Sequence, residues 1–545
     1  MNIFSVSGNV VDIQNQEIYP GTVTITNSRI SSITRDEGKS YDNYIIPGFI
    51  DSHIHIESSM LIPSSFARLA VIHGTVATVS DPHEIGNVLG IEGVNYMIED
   101  GDKVPFKFYF GASPCVPATP FETSGAIITA DDIRKLFENP KIKYMSEMMN
   151  FPGVINEVPE VLEKIRIAKE AGRPIDGHAP GLMGDDLYKY ISYGISTDHE
   201  SLTLEEAIDK LYKGMMILIR DGSAASSFDT LHKLVETRPD MCMFCSDDKH
   251  PDDLIEGHIN NAVKKSFALG YNLWKILEVA TVNPIRHYKL DVGMLRVDDP
   301  ADFIVVDSLD ENMSVLQTYI EGQLVANNGR PIIDEVSYSV VNKFEANQTK
   351  PEDFQLAHKA SNIRVIEAIN NQLITKKITA PAKTQNGNVV SDVDNDILKM
   401  AVINRYKPSK PALAFIKNIG IKEGALASSI AHDSHNIIVV GTSDEAMSVA
   451  VNELISNKGG IVCYDGRVLS SLPLPIAGLM SGEDGWQVGK KYADLDKKAK
   501  DMGSKLKAPF MTLSFMALLV IPSIKLSDEG LFDGDTFKFT DLFLE

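Results

Sequence analysis

Between Tyr44 and about Leu290 the chain alternates short β-rich apolar runs with longer helix-like segments. The runs are Tyr44-Ile-Ile-Pro-Gly-Phe-Ile, Thr75-Val-Ala-Thr-Val, Lys107-Phe-Tyr-Phe, Lys143-Tyr-Met, Pro174-Ile-Asp-Gly, Ile195-Ser-Thr-Asp, Met215-Met-Ile-Leu-Ile and Met241-Cys-Met-Phe. Eight such units in about 245 residues have the number and span of a closed (β/α)8 barrel. The segments on either side read differently. Val10-Val-Asp-Ile-Gln and Gly21-Thr-Val-Thr-Ile-Thr are short β-rich stretches with turn residues between them, and Thr318-Tyr-Ile-Glu-Gly-Gln-Leu-Val reads as a hairpin.

The expected architecture is therefore α/β: a TIM-like barrel over residues 44–290, inserted in a small β-sandwich domain built from residues 1–43 and 291–340. The polar stretch Glu345-Ala-Asn-Gln-Thr-Lys-Pro-Glu-Asp reads as a linker. Residues 350–545 resume a strand and helix pattern and are expected to form a separate C-terminal α/β (α+β) domain.

With 545 residues, 43% apolar and 23% charged, the chain is a multi-domain globular protein rather than a disordered or fibrous one. Its net charge of −22 repels polyanions, which argues against nucleic acid or an anionic membrane as partner. Four cysteines are too few to staple a chain of this length, so a cytoplasmic, reducing setting is expected. No basic stretch followed by an apolar core opens the sequence, which gives no sign of a signal peptide. The uncharged segment 508–524 contains Pro509 and Pro522 and is expected to be a buried helix followed by a strand, not a membrane span.

The chemistry-bearing residues cluster at the ends of the apolar runs. His53 and His55 are two apart on a strand, so both imidazoles point the same way, toward the end of a barrel strand where barrel active sites lie. Glu147, His178, His199 and Asp247 each stand at or just past the end of a later run. A barrel brings these ends together, and four histidines with two carboxylates form a donor set for two divalent metals. Each could instead be a capping residue at a strand–helix junction, Asp247 above all. After the second run, Asp81-Pro82-His83-Glu84 has Asp81 and Pro82 in the pattern of a helix start. That pattern leaves His83 and Glu84 unexplained, and makes Asp81, His83 and Glu84 candidate substrate contacts.

Cys242-Met-Phe-Cys245 has C-x-x-C spacing, but residues i and i+3 of a strand face opposite sides, so both cysteines are expected to be barrel packing. His432-Asp-Ser-His435 is expected to be a solvated loop, with a metal site or an approach to the catalytic site as the other reading. His73, His232, His250, His258, His287 and His358 are taken as structural or surface residues.

These motifs, in this order, resemble the amidohydrolase superfamily and, within it, the adenine deaminases. The resemblance is carried by Pro47-Gly-Phe-Ile-Asp-Ser-His-Ile-His-Ile-Glu-Ser-Ser, Ser80-Asp-Pro-His-Glu-Ile-Gly-Asn-Val, Glu147-Met-Met-Asn-Phe-Pro-Gly-Val, Gly177-His-Ala-Pro-Gly-Leu, Thr197-Asp-His-Glu-Ser and Phe244-Cys-Ser-Asp-Asp-Lys-His, with Ile430-Ala-His-Asp-Ser-His-Asn near the C-terminus. It implies a binuclear centre of Mn²⁺ or Fe²⁺, with Zn²⁺ as an alternative. His53 and His55 would bind one metal, His178 and His199 the other; Glu147 would bridge them and Asp247 would touch metal and water.

The implied reaction is hydrolytic deamination of adenine to hypoxanthine and ammonia in purine salvage, with Asp247 moving protons. Glu84 would donate a proton to the ring, which requires a raised pKa. The family also implies a homo-oligomer, a dimer, with adenine and water as the small-molecule partners. Two other readings stay open. One is a related enzyme that acts on a different aminopurine or opens a cyclic amide as hydantoinases and dihydroorotases do, with Lys143 four residues before Glu147 as the residue in question. The other is a non-catalytic binding protein, against which the complete set of ligand-type residues argues.

Overall fold

The computed structural model describes residues 3–223 and 225–544. The chain divides into two compact units. The first comprises Met1–Pro82, Asn95–Pro114 and Thr129–Ser337, and the second His83–Val94, Cys115–Ile128 and Tyr338–Glu545.

In the first unit the two flanking stretches combine. Strands Ile3–Asp12, Glu17–Thr26 and Arg29–Arg35 pair as an antiparallel meander, and Phe303–Val306, Val315–Ile320, Gln323–Asn327 and Arg330–Pro331 as another. Tyr44–Pro47 joins them, pairing parallel with Ile3–Asp12 and antiparallel with Phe303–Val306, to give one eight-stranded sheet. Val23, Ile25 and Ile30 from one end meet Phe303 and Tyr319 from the other in a single apolar cluster, so the sheet folds over on itself as a sandwich.

The first apolar run is thus shared between two structures. Tyr44–Pro47 stays in the small sheet, and the barrel begins at Phe49 rather than at Tyr44. Gly48 is the switch: a Cβ there would lie 2.3 Å from Val76 Cγ1, so no side chain fits where the chain passes against the barrel wall.

The barrel strands are β1 (Phe49–Ile54), β2 (Thr75–Ser80), β3 (Lys107–Ala112), β4 (Ile142–Met148), β5 (Ile175–Gly177), β6 (Thr197–Asp198), β7 (Met216–Arg220) and β8 (Cys242–Cys245). Parallel pairing links β1 to β5 in order and β6 to β8 in order. Bridges Ile175–Ile195 and Ile54–Asp247 join the two groups at both seams, which closes the ring. Strands β1, β2 and β8 are buried along their whole length, as expected of parallel strands covered on both faces. Cys242 and Cys245 are buried in this wall, as their spacing predicted.

The C-terminal part of the second unit is mostly strands. Its main sheet runs Thr375–Pro381, Asn362–Ala368, Ala412–Lys417, Ile397–Ile403, Ile437–Gly441, Ala425–Ser428, Gly460–Tyr464 and Leu469–Pro473, with Phe543–Leu544 added beside Asn362–Ala368. Helix Asp444–Ser456, capped by the Ser443 side chain, buries Met447, Ala450, Val451 and Leu454 against Ala425, Ala427, Val439 and Val462.

The stretch expected as a linker is packed instead. Phe344 and Phe354 enter this core, and Thr349 N–H donates to Asn452 Oδ1 at 2.7 Å. Its polar side chains thus answer a helix face as well as solvent. The apolar segment 508–524 forms helix Pro509–Ser514 and a further turn, followed by strand Ile524–Ser527. Among the described residues no helix is long and apolar enough to cross a membrane.

Candidate functional site

In the first unit the ends of five barrel strands supply one buried cluster. His53 lies in β1 and His55 follows its last residue. Their Nε2 atoms are 3.3 Å apart, and the two rings meet edge to face. His55 Nδ1 lies 3.1 Å from the Asp81 carbonyl oxygen and donates to it, which directs Nε2 into the cluster. The His53 ring stacks on His199 at 4.1 Å, and His199 in turn meets His178 edge to face.

Glu147, the penultimate residue of β4, divides its two oxygens between these imidazoles. Oε1 is 3.5 Å from His55 Nε2; Oε2 is 2.8 Å from His178 Nδ1 and 3.2 Å from His199 Nε2. Burial alone would raise this carboxyl, but His178 and His199 outweigh it and hold it well below the ordinary range.

The histidine end is braced from behind. Helix Leu204–Tyr212 carries buried Lys210, whose Nζ donates to Asp198 Oδ2 and to the Ala179 carbonyl, both at 2.8 Å. Asp198 Oδ1 accepts from Ala179 N–H at 3.0 Å. The residues flanking His178 and His199 are thereby tied to each other.

Asp247 completes the cluster from just beyond β8. Its N–H donates to the His53 carbonyl at 2.9 Å, the closing contact of the barrel, and its φ of 54° lies in the left-handed region that a non-glycine residue seldom adopts. In this pose Oδ1 is 3.1 Å from His55 Nε2 and 3.4 Å from His53 Nε2. Oδ2 accepts from Arg220 Nη1. Burial pushes Asp247 up, but Arg220, His53 and His55 more than compensate, so the carboxylate stays ionised.

Beneath it, Asp51 accepts from Ser246 N–H at 3.1 Å and from the Ser246 hydroxyl, and His258 Nε2 lies 2.7 Å from Asp51 Oδ2. His258 is therefore structural, as the sequence suggested, and it supports the residue next to Asp247. Asp81 is buried, with Oδ1 accepting from the Ser113 hydroxyl at 2.8 Å and Oδ2 within 3.4 Å of Glu147 N–H.

His83 and Glu84 open helix His83–Leu89 of the second unit, both buried. His83 Nε2 is 3.5 Å from Glu84 Oε1. The expected solvated loop at His432–His435 is not found. Both histidines are buried at 2% and 1% exposure, and both contact Glu84. His432 Nδ1 is 2.7 Å from Oε1, and His435 Nε2 contacts Oε2. Apolar neighbours, with Phe515 stacked on His432 at 4.3 Å, explain why two polar rings in a loop are shielded from water. The raised pKa expected of Glu84 is also absent: burial acts upward, but His432, His435 and His83 hold the carboxyl well below its ordinary value.

Two residues of the first cluster went unread in the sequence. Arg220 ends β7 and Glu200 follows His199; Arg220 Nη1 is 2.6 Å from Glu200 Oε1. The rule that singled out the other ligand-type residues, a polar side chain at the end of an apolar run, applies to Arg220 as well. Lys143 is the reverse case. It is half-buried near the start of β4, about 13 Å of strand from Glu147, and its buried counterpart in the cluster is Glu147.

The donor chemistry suits divalent cations. His53, His55 and Asp247 place ligand atoms within 4.8 Å of one another, as do His53, Glu147 and His199, and also His178, His199 and Glu200. Imidazole nitrogens with carboxylate oxygens are the donor types that zinc, iron and manganese share.

The chain matches the Amidohydrolase family over residues 44–325 and the Adenine deaminase C-terminal domain over residues 372–538. It is 54% identical over 537 residues to the "Adenine deaminase" of Sulfurovum sp. (strain NBC37-1), covering 98% of this chain and 99% of the relative. It is 51% identical over 545 residues to the "Adenine deaminase" of Salinibacter ruber, with 99% of each covered. Among solved structures, a β-aspartyl dipeptidase from Fervidobacterium islandicum AW-1 aligns at 16% identity with a TM-score of 0.48, over 62% of this chain and 100% of its own.

Proposed function

This chain belongs to the amidohydrolase family and, within it, to the adenine deaminases, enzymes that convert adenine to hypoxanthine and ammonia; from that premise we propose that the buried cluster around Glu147 is the seat of its chemistry. The observation that carries this reading is the division of one carboxylate between two imidazole sets, Oε1 toward His55 and Oε2 toward His178 and His199, with Asp247 Oδ1 3.1 Å from His55.

In this reading His53 and His55 would hold one divalent metal, His178 and His199 a second, and Glu147 would serve both. When bound, such a pair lowers the pKa of water toward neutrality. The other steps belong to the side chains. Asp247, ionised and with Oδ2 held by Arg220, presents Oδ1 as the base that takes a proton from the attacking water. The same carboxyl then gives that proton to the departing amine, so nitrogen leaves as ammonia. Glu84 passes a proton to the purine ring nitrogen as negative charge develops there. Asp81 and His83 hold the ring. The positions of these three in the sequence support their assignment, three residues or fewer apart at the end of β2.

Manganese or iron is the proposed metal, with zinc as a substitute the same donors accept. The proposed setting is purine salvage in the cytoplasm, supported by four buried cysteines none of which is in a disulfide, and the proposed assembly is a homodimer on the family resemblance. Opening of a cyclic amide is not favoured, since Lys143 stands away from Glu147.

The test is direct. Protein loaded with Mn²⁺ or Fe²⁺ should change the ultraviolet absorbance of adenine and release an equal amount of ammonia, and chelation should stop both. Fully loaded protein that leaves adenine intact would overturn the reading.

A further inference from the structure

His432-Asp-Ser-His435 takes no part in the reaction proposed above. Its two imidazoles take one oxygen each of Glu84: His432 Nδ1 lies 2.7 Å from Oε1, and His435 Nε2 meets Oε2. The roles of the two rings can be told apart. Ala431 N–H donates to His435 Nδ1 at 3.3 Å, so that nitrogen is an acceptor and the ring proton must sit on Nε2, facing Glu84. His435 N–H also donates to the Ala431 carbonyl at 2.7 Å, which fixes the ring's backbone, and φ of 52° puts this residue in the left-handed region. Burial pushes His435 down to about 4, in keeping with a neutral ring. His435 is thus a neutral donor that gives Glu84 a hydrogen bond and has no second proton to spare.

His432 differs. Its Nδ1 faces Oε1, and its ring lies flat on Phe515, with planes 12° apart.

We propose that His435 is a positioning residue that locks the Glu84 carboxylate, and that His432 is the source of the proton Glu84 delivers to the purine. The proposal rests on the reading of Glu84 as the group that protonates the ring. In each turnover a doubly protonated His432 gives up its Nδ1 proton as an O–H bond forms on Glu84 Oε1, and is left as the neutral ring protonated on Nε2. That O–H bond then breaks as an N–H bond forms on the purine ring. His432 is recharged through solvent, which takes up the other proton of the attacking water, the one that Asp247 does not pass to the amine. This resolves how a carboxylate ionised at rest serves as an acid: it is a relay, loaded only as the ring nitrogen becomes basic.

The experiment compares alanine and amide replacements in the metal-loaded full-length chain, with metal content and thermal midpoint measured alongside kcat and KM. His435→Ala should lower kcat about 10–100-fold with KM little changed. His435→Gln, which keeps an N–H donor in place of Nε2–H, should recover most of that loss. His432→Asn keeps a donor in place of Nδ1–H but cannot ionise, and should still lose about 100-fold or more in kcat. Wild-type kcat in His432→Asn would overturn the relay, and wild-type kcat in His435→Ala would overturn the positioning role. A failure of the underlying reading looks different: Glu84→Gln would itself turn over adenine near the wild-type rate. If an alanine variant does not fold, the amide variants alone decide the matter, since the proposal requires Gln at 435 and Asn at 432 to behave differently.

Discussion

Arg220 holds one oxygen of Asp247 and leaves the other to the histidines. Its Nη1 donates to Oδ2 and also lies 2.6 Å from Glu200 Oε1, while Asp247 Oδ1 sits 3.1 Å from His55 Nε2. The three charges are almost wholly enclosed, with Arg220 3% exposed. The Arg220 cation beside Asp247 helps keep that carboxylate ionised and fixes the direction in which it acts.

Removing Arg220 should therefore harm stability and rate together. Arg220→Met leaves two buried carboxylates without their cation, which should cost about 3–5 kcal/mol of folding stability. Arg220→Lys keeps the charge but not the planar fork, and should fold with kcat lowered about 10-fold or more. Denaturant titration and steady-state kinetics on the two variants check this. A Met variant as stable as the parent would show that the network is not needed to offset burial.

Asp247→Asn should retain the fold and lower kcat by about 10²–10⁴-fold, since the amide neither accepts nor passes a proton at neutral pH. Near-normal turnover would mean that another group carries it.

Glu147→Gln should bind less metal per chain than the parent when both are loaded and desalted alike. A neutral amide would not supply the negative charge that the Glu147 carboxylate would offer to a bound cation. Elemental analysis returning the parental content would remove Glu147 from the metal site.

Lys525 gives a pH signature independent of catalysis. It is fully buried, its Nζ donating to the Leu373 carbonyl at 2.6 Å and the Phe515 carbonyl at 2.8 Å, and burial pushes it down to about 7 from an ordinary value of 10.5. Above pH 7 the unfolded chain binds this proton more strongly than the folded one, so this group makes stability rise with pH between about 7 and 10.5, by at most about 1.4 kcal/mol per unit. Below pH 7 it adds no slope. Lys525→Met should flatten the rise, measured by denaturant unfolding at pH 7, 8.5 and 10. An unchanged slope would place the folded-state proton elsewhere.

The barrel was legible because its strands are buried on both faces and read as continuous apolar runs. A ligand-type residue at the end of such a run stands out: His53, His55, Glu147, His178, His199 and Asp247 were all found this way, and all six lie in one cluster. Arg220 satisfies the same rule, but a guanidinium is not a metal donor, so ligand chemistry does not single it out. Tyr44–Pro47 was assigned to the barrel because one apolar run covers two strands, and only the close approach at Gly48 separates them. His432 and His435 were misread for a different reason. A short polar stretch between strands has the composition of a solvated turn, and composition does not tell whether another segment will cover it.

Local order in the polymer thus determined which side chains stand at strand ends and which way neighbours two apart point, because alternation along a strand is a property of the backbone alone. Which oxygen of Glu147 faces which imidazole, that Arg220 takes one side of Asp247, and that a loop some 350 positions further on grips Glu84 were decided only when the chain closed on itself. Contacts between residues that far apart depend on the packing of everything between them, and no local pattern records that.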